Sequence, residues 1–273
     1  LSAFLNPLIN QNKSIGFVPT MGALHQGHLS LLKNSLSEND VTVMSIFVNP
    51  TQFNNAEDLD KYPRTLERDV QIMQDLSNNI IVYAPEVADI YEGNTISESF
   101  NYDGLENQME GKHRPGHFDG VGTIVKRLFE IVQPNKAYFG EKDFQQLQIV
   151  KKLVSKYNIP VDVIGCPIHR EANGLAMSSR NERLSESARE KAAIIYQILN
   201  SAKEIFQTNS AEETIKFVEK EFKKHQEFEL EYFEIADEAT LLPVSEKESN
   251  KKYRGFIAIF IENIRLIDNI SLN

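Results

Sequence analysis

Apolar positions along this chain follow two different periods, and the switches between them mark the elements. Ser14–Val18 is a short apolar run stopped at Pro19, and His28–Leu36 reads as a helix. Val41–Val48 (VTVMSIFV) is apolar and β-branched, too short for a convincing helix and ended by Asn49-Pro50, so it predicts a strand. Thr65–Leu76 predicts a helix, with Leu66, Val70, Met73 and Leu76 at spacings of four and three. Ile80–Tyr83 predicts another strand, stopped by Pro85. Val121–Val132 then predicts a helix ended by Pro134, Lys136–Phe139 a strand, Phe144–Tyr157 a helix and Val161–Gly165 a strand. Such α/β alternation builds a parallel sheet with helices on both faces.

The pattern changes near residue 170. Ala188–Phe206 predicts one long helix, with Ala188, Ala192, Ile195, Leu199, Ala202 and Phe206 in a single apolar stripe. Ser210 with Glu213 matches a capping box, and Ile215, Val218 and Phe222 continue a second helix. Leu230–Ala236, Gly255–Ile261 and Ile264–Ile267 predict strands with no helix between them. The expected organisation is an α/β unit over residues 1–168 and a smaller C-terminal α+β unit over 169–273. Ile90–Glu106 is polar and aperiodic and reads as a long loop or a small hairpin.

Composition narrows the class. The chain has 273 residues, 41% hydrophobic and 25% charged, ordinary values for a globular protein large enough to need no disulfide or metal staple. Its net charge of −10 argues against a nucleic-acid partner, which usually meets a basic excess. No apolar run reaches the roughly 18 residues of a membrane span, so no membrane partner is expected. Cys166 is the single cysteine, which suits a reducing compartment, and the expected location is cytoplasmic. The N-terminal LSAFLNPLINQNKS lacks the basic start and apolar core of a signal peptide; without an initiating Met, a few residues are expected to be missing or trimmed.

Three polar clusters each follow a predicted strand: Pro19–His28 (PTMGALHQGH), Asn49–Phe53 (NPTQF) and Gly140–Asp143 (GEKD). Parallel strands end on one side of an open sheet, and ligands bind outside those ends, so the three clusters are expected to converge on one crevice. His25-Gln26-Gly27-His28 puts two imidazoles at a helix start, where free N–H groups favour an anion and Gly27 lets a ligand approach the backbone. The alternatives are a cap histidine beside a surface histidine, or a zinc pair, which lacks further Cys/His ligands at metal spacing. Met177-Ser178-Ser179-Arg180 offers hydroxyls and a guanidinium suited to a polyphosphate, or merely a Ser cap with a solvated Arg. Lys142 offers an ammonium for phosphates and Asp143 an acceptor for ribose hydroxyls, unless GEKD is only a surface turn. Gln52 and Gln146 are neutral groups able to hold a hydroxyl or carboxylate, and Arg114 is a candidate anion clamp. No phosphate-binding P-loop, nicotinamide-type Gly-x-Gly-x-x-Gly or Gly-x-Ser-x-Gly elbow occurs.

Taken together and in order, PTMGALHQGH, SIFVNPTQF, YPRTLERD, RPGHFDGV, YFGEKDFQQL and REANGLAMSSRN resemble the pantoate–β-alanine ligase family, over about Ile15 to Leu184. The HxGH and Met-Ser-Ser-Arg motifs alone resemble the wider nucleotidyltransferase and class I aminoacyl-tRNA synthetase-like superfamily. The resemblance implies a Rossmann-like N-terminal domain, a smaller C-terminal domain that closes over the site, and a homodimer. It implies ATP and magnesium, the substrates pantoate and β-alanine, and a pantoyl-adenylate intermediate with release of pyrophosphate and AMP.

Residue by residue, the resemblance makes His25 and His28 phosphate contacts, with His28 the donor of the first step. Pro19, Thr20, Met21, Gly22 and Gly27 would line the ATP site. Gly140, Glu141, Lys142 and Asp143 would meet ribose and phosphates, His169 adenine, and Met177, Ser178, Ser179 and Arg180 the outer phosphates. Gln52, Gln146 and Asn49 would hold substrate, Arg114 would lie near the phosphates, and Asp69 near magnesium. Arg68-Asp69 stands where the family often has two acidic residues, and Asn173 where it usually has Asp. Two rival functions are a related nucleotidyltransferase acting on a phosphate acceptor and a non-catalytic nucleotide-binding relative.

Overall fold

The computed structural model describes residues 1–273. The strands are β1 (Ile15–Thr20), β2 (Val41–Ile46), β3 (Ile80–Tyr83), β4 (Lys136–Gly140), β5 (Asp162–Cys166), β6 (Phe228–Asp237), β7 (Tyr253–Ile261) and β8 (Ile264–Ser271). In the first part of the chain the helices are α1 (Ser2–Asn10), α2 (Gln26–Glu38), α3 (Ala56–Asp60), α4 (Leu66–Leu76), α5 (Val87–Tyr91), α6 (Met109–His113), α7 (His117–Val132) and α8 (Phe144–Lys156). They are followed by α9 (Glu186–Lys191), α10 (Ile194–Thr208) and α11 (Ala211–Phe222).

The first five strands form one parallel sheet in the order β3-β2-β1-β4-β5. Alternate residues of each strand feed opposite faces, as the pleat requires. Phe17, Val43, Ala137 and Phe139 join a core with α7 and α8. Val18, Met44 and Tyr138 join a second core with Leu31 and Leu32 of α2 and Met73 of α4. Helices therefore cover both faces, the Rossmann-like arrangement the sequence predicts. The strand order reverses between β1 and β4, so the switch point, where a crevice opens at the strand ends, lies beside PTMGALHQGH and GEKD.

The remaining strands form a separate antiparallel sheet, β6-β7-β8, whose core includes the apolar faces of α10 and α11. The capping box of Ser210 and Glu213 starts α11 as expected. The long helix predicted over Ala188–Phe206 is divided: Ala193 N donates to Glu190 O and Ile195 N to Ala192 O, a local three-residue tightening between α9 and α10. The apolar stripe survives the break, since Ala192, Leu199 and Ala202 are fully buried. Within Ile90–Glu106 there is no hairpin; α5 ends there at Tyr91 and the rest is irregular up to a 3₁₀ turn at Leu105–Asn107.

The C-terminal sheet is fastened to the first part of the chain by an ion pair and by a pair of amide hydrogen bonds. Arg265 of β8 grips the buried Glu110 of α6 through both nitrogens, at 2.8 and 2.7 Å. Within the C-terminal part, Asp268 takes a bidentate pair from Arg170 at 2.6 and 2.9 Å and so holds the connection that leads to Met177–Arg180. Asn269 Nδ2 donates to the carbonyls of Glu141 and Lys142, each at 2.9 Å. The GEKD turn is thus held from the far sheet.

Candidate active site

The three polar clusters do converge. Residues of each line one cavity of about 240 Å³ at the carboxyl ends of β1, β2 and β4, together with Met177–Arg180 and His169, while Gly22, expected on the nucleotide site, is off its wall. The β1–α2 turn is built first. Gly22 has φ +84°, a left-handed conformation natural to glycine, and Ala23 follows at φ +50°. The turn's N–H groups then need an acceptor, and Asp69 of α4 supplies it. Its carboxylate accepts from Ala23 N and Leu24 N, both at 2.8 Å, and from Thr65 Oγ1 at 3.2 Å. Asp69 is fully buried and off the cavity wall, so it braces this turn; the magnesium role implied by the resemblance has no exposed carboxylate to act through.

The two histidines cap α2 reciprocally. His25 Nδ1 accepts from Gly27 N at 3.2 Å, and His28 Nδ1 accepts from His25 N at 3.3 Å. Because each Nδ1 is an acceptor, the proton of each neutral ring sits on Nε2. Burial, with the Lys142 ammonium adding to it, pulls His25 down to about 4, and burial beside His25 takes His28 well below its ordinary value. At neutral pH both rings are therefore neutral N–H donors on the cavity wall. The ring centroids are 4.0 Å apart, and Gly27 lies under His169, whose Cβ would be 3.7 Å from a Cβ there.

Lys142 lines the cavity with its ammonium 3.7 Å from Asp143 and no closer acceptor. Glu141 turns away toward Arg254, 3.8 Å distant, and is not on the cavity wall, so of the GEKD turn Gly140, Lys142 and Asp143 face the site. Ser178 Oγ accepts from Arg180 N, which leaves its hydroxyl hydrogen free to donate. Ser179 is committed instead: its Oγ donates to Ala23 O at 3.0 Å and ties the Met-Ser-Ser-Arg segment to the β1–α2 turn. Arg180 lines the cavity, but its guanidinium is on Asp58 at 2.7 Å.

The substrate-side residues divide in the same way. Gln52 and Gln146 line the cavity with amides that bond nothing else in the protein. Asn49 is buried; its amide donates to Gly120 O, and its Oδ1 accepts from Thr51 and Tyr91 hydroxyls. Asn49 thus fastens the Pro50–Gln52 turn to α7 through one amide hydrogen and its oxygen, and lines the cavity with its second amide hydrogen unpaired. A Cβ at Gly120 would lie 2.3 Å from Thr51 O, so only glycine lets α7 come this close. Gln145 is also consumed, by Glu110 N, Leu105 O and Gln108 O, whereas its neighbour Gln146 faces the cavity. Val121, Ile124 and Val125 of α7 and Phe139 of β4 give the cavity an apolar wall beside these amides.

Sequence reasoning missed His117. Its Nδ1–H donates to Gln52 O at 2.8 Å, and its Nε2 accepts from Arg114 at 3.3 Å, so it positions both. Arg114 also lines the cavity but is paired with Glu110 at 3.3 Å. Burial, reinforced by Arg114, takes His117 down to about 3. The unfolded chain therefore binds a proton near pH 6.5 that the folded chain refuses, and stability falls as pH drops below that value. Between pH 7 and 5 His117 alone removes about 2 kcal/mol, before carboxylate titration begins. The thermal midpoint is expected to fall over this range, less steeply in His117→Gln; parallel pH dependences for the two proteins would refute this.

The family model described as pantoate-beta-alanine ligase matches residues 1–271. The pantothenate synthetase of Flavobacterium psychrophilum is 66% identical, across 100% of this chain and 96% of its own length. That of Christiangramia forsetii is 55% identical, across 97% and 93%. Among solved structures, pantothenate synthetase from Thermus thermophilus superposes with a TM-score of 0.89 at 42% identity, covering 95% of this chain and 93% of that one. The pantoate-beta-alanine ligase of Francisella tularensis, complexed with beta-gamma ATP and beta-alanine, gives 0.80 at 39% identity, covering 99% and 94%. With the crevice at the β1/β4 switch point carrying the motifs that first pointed there, the chain belongs to the pantoate–β-alanine ligase family.

Proposed function

We propose that this chain condenses pantoate with β-alanine at the expense of ATP, which leaves as AMP and pyrophosphate. The observation that carries the reading is the pairing of two unengaged amides, Gln52 and Gln146, with an apolar wall on one side of the cavity and neutral and cationic donors on the other. Pantoate has hydroxyls and a carboxylate for the amides and two methyl groups for Val121, Ile124 and Phe139. A phosphate acceptor would call for Lys or Arg where Gln52 and Gln146 stand.

In the first step a pantoate carboxylate oxygen attacks the α-phosphorus and pyrophosphate leaves. The developing phosphate charge meets the Nε2–H groups of His25 and His28, the Ser178 hydroxyl and the Lys142 ammonium, all preorganised on the wall. In the second step the β-alanine amine attacks the acyl carbon, AMP leaves with the C–O bond electrons, and the amine gives up a proton. Rate comes from positioning and charge neutralisation, since adenylation has already made a good leaving group.

Magnesium is proposed to arrive on the nucleotide. No group of three or more His, Cys, Asp or Glu is placed to hold a metal, which accords with an ion held by phosphate oxygens and water. We place the domain boundary at 168/169, with the C-terminal part completing the site through Met177–Arg180. A homodimer is the proposed assembly, checked by light scattering of the purified protein.

ATP labelled at the α-phosphate tests the reaction class: the label should end in free AMP, and label retained in a dinucleotide-like product would mean nucleotidyl transfer. Gln146→Ala should raise the KM for pantoate well above any change for ATP. An unchanged pantoate KM beside a worsened ATP KM would overturn its assignment.

A further inference from the structure

The cavity that is read above as a triphosphate site has one positive charge free to receive it, the Lys142 ammonium, which stands 3.7 Å from Asp143. His25 and His28 are neutral donors, and Arg114 is paired with Glu110. Arg180, the other cavity-lining guanidinium, is neutralised by a residue outside the cavity wall. Asp58 of α3 accepts from Arg180 at 2.7 Å through Oδ2 and from Arg183 at 2.8 Å through Oδ1. Burial raises the Asp58 carboxyl, but the two guanidiniums outweigh it and hold the group below the usual carboxylate range. Arg183, unlike Arg180, does not reach the cavity.

A carboxylate oxygen and a phosphate oxygen are interchangeable partners for a guanidinium. The presence of a second arginine on the other carboxylate oxygen means that Asp58 keeps a counterion if Arg180 leaves it. We propose that Asp58 is a placeholder for the outer phosphates: it holds Arg180 while the site is empty, yields it to ATP or pyrophosphate, and takes it back as pyrophosphate departs. Asp58 is thus a positioning residue that weakens pyrophosphate binding and so speeds product release. The inference rests on the reading of Arg180 as a phosphate ligand.

Calorimetric titration of the full-length protein with magnesium pyrophosphate tests it, with adenosine as a phosphate-free control. Asp58→Asn should bind pyrophosphate more tightly, about fivefold for a half-buried pair, and bind adenosine as the wild type does. Arg183→Ala, which leaves Asp58 to Arg180 alone, should move pyrophosphate affinity the other way. Unchanged or weaker pyrophosphate binding in Asp58→Asn overturns the proposal, as does an equal shift for adenosine. Arg180→Ala separates the two levels: wild-type pyrophosphate affinity there would overturn Arg180 as a phosphate ligand, whereas lost affinity there without a gain in Asp58→Asn overturns the placeholder alone.

Discussion

His28→Ala is expected to slow acyl-adenylate formation by about 10²–10³-fold, the usual effect of deleting one preorganised donor to a developing oxyanion. The argument rests on which nitrogen holds the proton. His28 Nδ1 accepts from His25 N, so its Nε2–H is the group left to face the substrate. Burial keeps the ring neutral at working pH, so it acts as a neutral N–H donor. The backbone bond lost to His25 N is long, at 3.3 Å, and only part-buried, so its own contribution to stability is small. Single-turnover measurement of adenylate with saturating ATP and pantoate reads the step directly. A folded variant with near-normal turnover would falsify the role.

The second large effect is expected from Asp69→Ala, and it is one of folding rather than chemistry. Removing the carboxylate leaves Ala23 N and Leu24 N buried without an acceptor, at about 1–3 kcal/mol each. Against a typical domain stability of about 5–15 kcal/mol that is a large fraction. The thermal midpoint should fall by several degrees, and activity measured well below the new midpoint should also drop, since the turn carries both histidines. A magnesium ligand would behave differently. Its loss would leave the midpoint unchanged and be partly rescued by more magnesium, and that pair of results would contradict the bracing role.

Much of this architecture was legible in the sequence because it depends on local rules. Ile80–Tyr83 is apolar, short and bounded by a Pro, and it is a strand over those residues. The polar clusters follow strands, and parallel topology alone brings strand ends together. The short helices α3 and α6 escape such reading because five residues do not complete two turns of a 3.6-residue period. The break between α9 and α10 escapes it because alanines at Ala192 and Ala193 are good helix formers and give no stop signal.

The site divides along the same line. Residue type shows that a side chain can bond, not what it bonds. Asn49 is used by Gly120, 71 residues away, and Asp69 by Ala23, 46 residues away. Ser179, Glu141 and Gln145 carry the same functional groups as Ser178, Asp143 and Gln146, yet each turns to a partner elsewhere in the fold. Glu141 and Gln145 leave the cavity wall altogether, while Ser179 stays on it with its hydroxyl spent on Ala23 O, and tertiary packing sets each outcome. His117 was hidden for a related reason, since its work is to hold the carbonyl of Gln52 from 65 residues away.

The central claim is that this cavity activates a carboxylate by adenylation. Pyrophosphate–ATP exchange, with pantoate present and β-alanine absent, measures that step alone. The account predicts exchange that requires pantoate and is lost when His28 is replaced. Folded protein that binds ATP but shows no pantoate-dependent exchange would contradict it.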